Sequence, residues 1–174
     1  MLLLVPCVWL GLFALTRSAG ESQAGQNASL SQIDPEGLVV YEGSQGDSLF
    51  RMTHSPLDIG SSQDAFDGDL ETLIRGRDAN PYLVDFEFTQ PQPITGLMMD
   101  YGRMDFVLRV QVFGAEDTEP VLYTNEYREQ PPIPHVDLDF LAGPFPVRRI
   151  YIEIEQLNPP QEVHVHIREI VLKK

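Results

Sequence analysis

The chain has 174 residues, of which 43% are hydrophobic, and this suits one globular domain with a sizeable core. The formal net charge is −14, from 26 acidic and 12 basic residues, so no basic stripe exists to bind nucleic acid. The same charge disfavours docking on an anionic lipid surface.

Residues 1–20 differ from everything that follows. Residues 1–16 are almost wholly apolar, and Arg17 then precedes the small residues Ser18-Ala19-Gly20. The apolar run is too short for a comfortable membrane span, which takes about 20 residues, so it predicts a secretory signal peptide. No basic residue precedes the apolar run, which leaves an N-terminal membrane anchor as the alternative. We expect a secreted or extracytoplasmic protein that contacts a membrane only through this segment, if the segment is not cleaved.

Residues 21–35 are mostly small and polar, and they predict a flexible linker ahead of a domain at 36–174. The only cysteine, Cys7, and the only tryptophan, Trp9, lie in the N-terminal segment. The domain itself therefore has no disulfide and no thiol nucleophile. We expect its stability to come from the core, with a metal ion as a further contributor.

Two weak strands, at 38–41 and 48–53, precede a cluster of hard oxygen ligands in Ala65-Phe66-Asp67-Gly68-Asp69-Leu70-Glu71-Thr72. Gly68 lets the backbone fold back, so that Asp67 and Asp69 can face one point. Calcium takes six to eight such oxygens, main-chain carbonyls included. The spacing does not match an EF-hand loop, and a solvated turn stays open as the alternative.

The following segments read as strands, because apolar and polar side chains alternate along them. The side chains predicted to point inward are Tyr82, Val84, Phe86, Phe88, Phe106, Leu108, Val110, Val112, Val136, Leu138, Phe140, Ile150, Ile152 and Ile154. A more continuous apolar run covers 94–100, and a weaker strand is predicted at 120–124. About eight or nine strands, with turns rich in proline and glycine and no convincing amphipathic helix, predict an all-β sandwich.

The last segment, 163–172, also alternates like a strand. The face that we expect to be buried carries Val163, Val165, Ile167 and Val171. Glu169 falls on this same face, where a carboxylate needs a counter-charge. Calcium bound by the Asp67 loop or an arginine would supply it, whereas a bulge near Glu169 would turn the side chain outward.

Together these segments resemble the discoidin or coagulation-factor C-type domain, one of the galactose-binding-domain-like jelly rolls, whose fold many carbohydrate-binding modules share. Residues 65–72 resemble the family's Ala-x-Asp-Gly-Asn/Asp-x-x-Thr loop, and 81–86 resemble the strand that usually ends Val-Asp-Leu. Residues 149–152 resemble the Arg-Tyr-Val-Arg-Ile strand, and 167–170 the closing strand with its glutamate. The resemblance spans about 38–172 and implies an all-β jelly-roll β-sandwich of about eight or nine antiparallel strands.

In calcium-binding members of this family, the loop and the closing glutamate ligate one ion. The resemblance therefore implies a structural Ca²⁺ held by the Asp67 carboxylate, by side-chain or main-chain oxygens of Asp69 and Thr72, by the Phe66 carbonyl and by Glu169. A closed oxygen shell leaves little room for a metal-bound water to do chemistry.

The resemblance also implies a binding face built from the loops at one end of the sandwich. Candidates for its polar and aromatic contacts are His54, Arg75, Arg77, Asn80, Tyr101 and Arg103. The family often has a tryptophan where Ile74 stands here, and the domain has no tryptophan to stack on a sugar.

Support for catalysis is thin. His164 and His166 have a spacing common in metal pairs, but a pair without a third ligand specifies little. The sequence contains no nucleophile elbow, zincin helix or phosphate-cradling glycine loop. We therefore predict an exported, non-catalytic module that binds a glycan. The alternative is an interaction domain of the same fold without lectin activity, which binds a cell-surface, membrane or extracellular protein. The missing tryptophan and the acidic surface favour that alternative.

Overall fold

The computed structural model describes residues 32–33, 37–116, 119–129, 134–141, 145–159 and 164–174. The predicted signal or anchor at 1–20 lies outside these residues, as does most of the predicted linker at 21–35. Only Gln32–Ile33 of that linker are described, and they form a short strand. Among the described residues, no helix is long and apolar enough to cross a membrane.

The described residues form strands and one turn of 3-10 helix. In chain order they are β1 Gln32–Ile33, β2 Val39–Gln45, β3 Ser48–His54, β4 Leu57–Ile59, the 3-10 turn Ser62–Ala65, β5 Ile74–Gly76, β6 Tyr82–Ile94, β7 Gly96–Tyr101, β8 Phe106–Gly114, β9 Val121–Tyr127, β10 His135–Asp139, β11 Phe145–Gln156 and β12 His166–Lys173.

These strands form two antiparallel sheets, which confirms the predicted all-β sandwich. The seven-stranded sheet has the order β1-β2-β3-β6-β11-β8-β9, and the five-stranded sheet has the order β10-β7-β12-β5-β4. The strands outnumber the prediction because β1, β4 and β5 are only two or three residues long and carry no alternation to detect. The last strand in chain order, β12, lies at the centre of its sheet.

The core is one contiguous cluster of apolar side chains from both sheets. The inward positions predicted for β6, β8, β10 and β11 are all buried, so the period-2 reading of these strands is confirmed. Ile152 lies near the middle of the core, on a strand paired with β6 on one side and β8 on the other. Burial of this apolar surface is the main term that stabilises the sandwich.

The predicted buried face of the last strand is correct at Val165, Ile167 and Glu169 but not beyond them. The pairing with β7 shifts register between Ile167 and Glu169, so the strand carries a bulge at this point. Beyond the bulge Ile170 and Leu172 are buried and Val171 is only half-buried, so the prediction for Val171 is wrong. Val163 lies outside the described residues.

The bulge does not turn Glu169 outward: its side chain stays buried, with 7% of its surface exposed. β5 pairs with β12 only at His166 and Ile167, which leaves the rest of that edge without a strand partner. The Gln45 side chain covers part of the edge, because its amide donates to Ile170 O at 2.9 Å and accepts from Leu172 N at 2.7 Å.

Candidate functional site

The loop between the 3-10 turn and β5 folds back on itself through local hydrogen bonds. Gly68 has φ +74°, a left-handed conformation that favours glycine. Asp67 Oδ1 accepts a hydrogen bond from Asp69 N at 2.9 Å, and Asp69 Oδ1 accepts one from Glu71 N at the same distance. At the start of the loop the Phe66 ring stacks on Tyr41, with ring centroids 6.1 Å apart. These contacts hold both aspartates of the predicted metal site within one compact loop.

The Thr72 hydroxyl lies in a crowd of acceptor oxygens. Its Oγ1 is 2.9 and 3.1 Å from the two carboxylate oxygens of Asp67, 2.7 Å from Asp69 O and 3.4 Å from Asp64 O. A hydroxyl carries a single proton and can serve only one of these acceptors well. Main-chain donors serve two of these acceptors as well, Thr72 N bonding to Asp69 O at 3.1 Å and Asp69 N to Asp67 Oδ1 at 2.9 Å, so the loop concentrates oxygens around one point.

Glu169 reaches the same loop from β12. Its Oε2 accepts a hydrogen bond from Gly68 N at 3.0 Å, across 101 positions of sequence. Burial raises the pKa of Glu169, the nearby charges of Asp67 and Asp100 raise it further, and only the Gly68 N–H lowers it. No arginine or lysine in the described part of the chain pairs with this carboxylate, which leaves its charge without a cationic partner.

This donor set fits a hard cation. It contains two carboxylates, a hydroxyl and the carbonyls of Asp64 and Asp69, and calcium accepts such a mixture of oxygens. Among the described residues no group of three or more His, Cys, Asp or Glu side chains is close enough to hold a metal ion. An ion bound here would therefore depend on main-chain and hydroxyl oxygens. The Asp64 carbonyl was not predicted, because every residue has a carbonyl and its side chain gives no signal.

A second cluster lies on the outer face of the five-stranded sheet, where β4, β5 and β12 are adjacent. Arg75 Nε and Nη2 donate to the two carboxylate oxygens of Asp58 at 2.8 and 2.6 Å. His166 pairs with Arg75 across the strands, and the rings of His164 and His166 are parallel within 4°, with centroids 6.5 Å apart. Burial, and secondarily the charge of Arg75, lowers the pKa of His166, so its imidazole is neutral at neutral pH.

Arg77 and Arg103 border this cluster at the ends of β5 and β7. Both side chains are exposed. Main-chain hydrogen bonds fix the nearby backbone, from Arg77 N to Pro56 O at 2.8 Å and from Gly102 N to His166 O at 3.1 Å. Arg75, Arg77, Arg103, His164 and His166 together are called the arginine end below. The predicted arginines thus lie at one end of one sheet, and His164, His166 and Asp58 join them.

Two predicted ligand contacts are corrected, because His54 and Tyr101 are 0% exposed and cannot reach a ligand at the surface. His54 Nδ1 lies 2.8 Å from Ser55 O and Nε2 lies 2.8 Å from Ser62 Oγ, while burial lowers its pKa. The Tyr101 hydroxyl donates to Met99 Sδ at 3.2 Å inside the core. Both residues lie in the interior of the domain. They were predicted at the surface because their side chains carry polar atoms.

Asn80 is exposed but its amide is engaged. Its Nδ2 donates to Gln156 O at 3.1 Å and its Oδ1 accepts from Gln156 N at 2.8 Å. This reciprocal pair ties the loop before β6 to the end of β11. Asn80 therefore shapes the surface near the arginine end, and a ligand that contacted its amide would have to compete with these two hydrogen bonds.

No protein-family model and no curated protein matches the sequence. Solved structures do match. The GH31 CBM32-2 module bound to GalNAc has a TM-score of 0.58 and 12% identity, over 73% of this chain and 98% of that one. An F5/8 type C domain from Bacteroides fragilis has a TM-score of 0.53 and 17% identity, over 78% of this chain and 97% of that one. The chain has the galactose-binding-like fold of F5/8 type C domains.

A pectin-binding carbohydrate-binding module shares this F5/8 type C fold, with a TM-score of 0.52 and 14% identity over 71% of this chain and 88% of that one. The resemblance noted in the sequence to discoidin domains is confirmed at the level of the fold. At these identities the likeness concerns the fold alone, and the sugars that these neighbours bind differ from one another.

Proposed function

We propose that this chain is a non-catalytic carbohydrate-binding module that holds a glycan at the arginine end. The observation that carries the proposal is the F5/8 type C fold with a cluster of exposed guanidinium groups at one end of its five-stranded sheet. Solved domains of this fold include a module bound to GalNAc and a module described as pectin-binding.

The chemistry of the arginine end suits sugar hydroxyls. A guanidinium presents five donors in a fixed fork, and the Asp58 carboxylate holds the fork of Arg75 in place. A held side chain loses less conformational entropy when a ligand binds than a freely rotating one. The parallel imidazoles of His164 and His166 add flat rings in place of the tryptophan that the domain lacks.

The test is a glycan array probed with the purified protein, in calcium and again in chelator. We expect binding to a set of glycans that share one terminal sugar. Arg75→Ala and Arg77→Ala should each weaken that binding, whereas Arg51→Ala, at an exposed site on the other sheet, should leave it unchanged. A folded protein that bound no glycan in either buffer would contradict the proposal.

A structural Ca²⁺ is part of the proposal. Asp67, Asp69, Thr72 and Glu169 would hold it, with the Phe66 carbonyl and the Asp64 carbonyl as further candidates. The crowded oxygens around Thr72 Oγ1 and the buried Glu169 carboxylate support this assignment. When bound, the ion would neutralise Glu169 and Asp67 together and fix the loop against β12.

We also propose that the protein is exported through residues 1–20, either as a cleaved signal or as a retained membrane anchor. The apolar composition of this segment supports the proposal. N-terminal sequencing of the protein recovered from outside the cytoplasm distinguishes the two forms, and recovery only from the cytoplasm would contradict export.

The second candidate is a protein-interaction domain. It is favoured by apolar side chains exposed near β9 and β10, where Leu122 is 67% and Leu141 is 90% exposed. Its partner would be a cell-surface, membrane or extracellular protein. The glycan array separates the two candidates, because only the carbohydrate-binding module predicts saturable binding that depends on Arg75 and Arg77.

A further inference from the structure

The arginines of this chain divide into engaged and unengaged ones. Carboxylates or main-chain carbonyls hold Arg51, Arg75, Arg109, Arg128, Arg148, Arg149 and Arg168. Within the described ranges, the guanidinium groups of Arg77 and Arg103 make no hydrogen bond and no ion pair. Acidic residues outnumber basic ones by 26 to 12, so partners for these two arginines are not scarce.

Two carboxylates on neighbouring strands are already engaged. Asp58 is held by Arg75, and Asp100 Oδ1 lies 2.9 Å from His135 Nδ1. Asp78 follows Arg77 directly, but no ion pair joins the two among the described residues. Exposed charges further than about 8 Å away are largely screened at physiological salt. Arg77 and Arg103 are therefore exposed cations without an ion-pair partner among the described residues, although Asp78 and Asp105 lie close to them in sequence.

Arg77 and Arg103 lie at the same end of the five-stranded sheet. Arg77 follows β5 and Arg103 follows β7, and β12 lies between these two strands. Neighbouring strands are about 4.8 Å apart, which puts the two chain positions roughly 10 Å from each other. A ligand that spans about 10 Å at this end, as an oligosaccharide does, can therefore contact both guanidinium groups.

The floor between the two arginines is formed by His166 and Gly102. A Cβ on Gly102 would lie 2.6 Å from His166 Cβ and 2.7 Å from His166 Nδ1, so only glycine allows the imidazole to pack this closely. The Asp58–Arg75 pair borders the floor on the β5 side. His166 and Gly102 thus lie between the two chain positions that carry arginines without an ion pair.

We propose that the glycan bound at the arginine end carries a carboxylate, as a uronic acid does. This inference rests on the proposed function and specifies its ligand class. Guanidinium forks match carboxylates in a bidentate way, and charge-assisted hydrogen bonds are about twice as strong as neutral ones. A neutral sugar has no carboxylate, so both guanidinium groups would have only water to stabilise their charge.

The experiment is calorimetric titration of the full-length protein with three forms of the same oligosaccharide. The three forms are the acid, its methyl ester and the parent neutral sugar. They are compared in three series of oligosaccharides, which end in glucuronate, galacturonate or mannuronate. For at least one of the series we expect the acid to bind about 10-fold tighter than both uncharged forms, which is about 1.4 kcal/mol.

The variants locate the effect. Arg77→Gln and Arg103→Gln should each weaken binding of the acid by about 5-fold or more, and they should reduce the preference for the acid over its methyl ester. Arg51→Gln removes the same charge from an exposed site on the seven-stranded sheet and should change neither quantity. Both test sites are exposed, so circular dichroism should show the same fold for all three variants.

The outcomes separate this inference from the proposed function. Equal affinity for the acid and its methyl ester, or a preference for the acid that survives in both Arg77→Gln and Arg103→Gln, would overturn the inference and leave glycan binding intact. Absence of binding to every glycan, charged or neutral, by a folded protein would overturn the proposed function and the inference with it.

Discussion

The Glu169 carboxylate lies where burial reduces its solvation by water. The carboxylate is buried, its pKa is raised by burial and by Asp67 and Asp100, and its hydrogen bond from Gly68 offsets only part of this. A raised pKa means that the ionised form is less stable in the folded chain than in the unfolded one. A bound cation reverses that penalty, which makes Glu169 the residue at which the calcium proposal is most sharply tested.

We expect calcium to raise the thermal midpoint of the protein and a chelator to lower it. Calcium at about 100 times its dissociation constant adds about 2.7 kcal/mol to the free energy of unfolding. Glu169→Gln should abolish the difference between the two buffers, as measured by differential scanning calorimetry. Glu71→Gln, an exposed change in the same loop, should preserve it. A wild-type midpoint that is the same in both buffers would refute the structural calcium.

His54 predicts a pH dependence of stability. Burial lowers its pKa below 6.5, so the unfolded chain takes up the proton more readily than the folded chain. The free energy of unfolding is therefore highest above about pH 6.5 and falls as the pH drops from there towards the lowered pKa of the folded protein.

Urea unfolding between pH 7.5 and about pH 5.5 tests this sign. We expect His54→Gln to reduce the slope of stability against pH, because a neutral side chain has no proton to take up on unfolding. Gln63→Ala, an exposed change that removes no titratable group, serves as the control and should keep the wild-type slope. Stability that increased on acidification over this range would contradict the assignment.

At the scale of the elements, β12 depends on side chains as well as on strands. Where β5 ends, the Gln45 amide supplies both a donor and an acceptor to the backbone of β12, as a neighbouring strand would. Buried backbone groups that lose their partner cost about 1–3 kcal/mol. The contact is thus a specific support for the strand that carries Glu169.

We predict that Gln45→Ala lowers the free energy of unfolding by about 1–3 kcal/mol, because Ile170 O and Leu172 N lose their partner. Hydrogen exchange of the Leu172 amide should accelerate in the same variant. Ser44→Ala, at the exposed neighbouring position, should change the free energy of unfolding by no more than about 0.5 kcal/mol and leave the exchange rate of the Leu172 amide unchanged. An unchanged exchange rate at Leu172 would show that the amide does not support the edge.

Alternation along the sequence predicted the elements well where a strand is long and one face is buried. β6, β8 and β11 are of this kind, because each of their side chains lies either between the sheets or outside them. A bulge near Glu169 was predicted only as an alternative that would turn this side chain outward, and its effect on the residues after it was missed, since a register shift is a property of two paired strands and β7 is far away in sequence. This is why Ile170 and Leu172 replaced Val171 at the buried face.

The candidate sites divide in the same way. The Asp67 loop and its contact with Glu169 were predictable, because a local motif and the inward phase of one strand both pointed to them. The burial of His54 and Tyr101 was not, since it depends on what folds over them from distant segments. Arg75 was predicted, but its partner Asp58 comes from β4, a strand too short to detect.

For the whole molecule, the net charge of −14 should oppose compactness through self-repulsion. Salt screens this repulsion, so we expect the thermal midpoint at pH 7, with calcium held constant, to rise by a few degrees between about 20 and 300 mM NaCl. The double variant Asp47→Asn with Glu116→Gln removes two exposed negative charges and should show a smaller rise. A midpoint that fell with salt would mean that ion pairs outweigh the repulsion.

The place of β12 in the fold also sets an order of assembly. Its sheet neighbours β5 and β7 both precede it in the chain, yet β12 lies between them. During synthesis on the ribosome, we therefore expect the five-stranded sheet to lack its central strand until β12 has emerged, and the apolar inner face of the other sheet to lack that part of its cover until then. Glu169 arrives with that strand, so its hydrogen bond from Gly68 N in the Asp67 loop forms only in the finished domain. A calcium ion that bound there would bind last, to the assembled sandwich. It would then stabilise the contact between the Asp67 loop and β12.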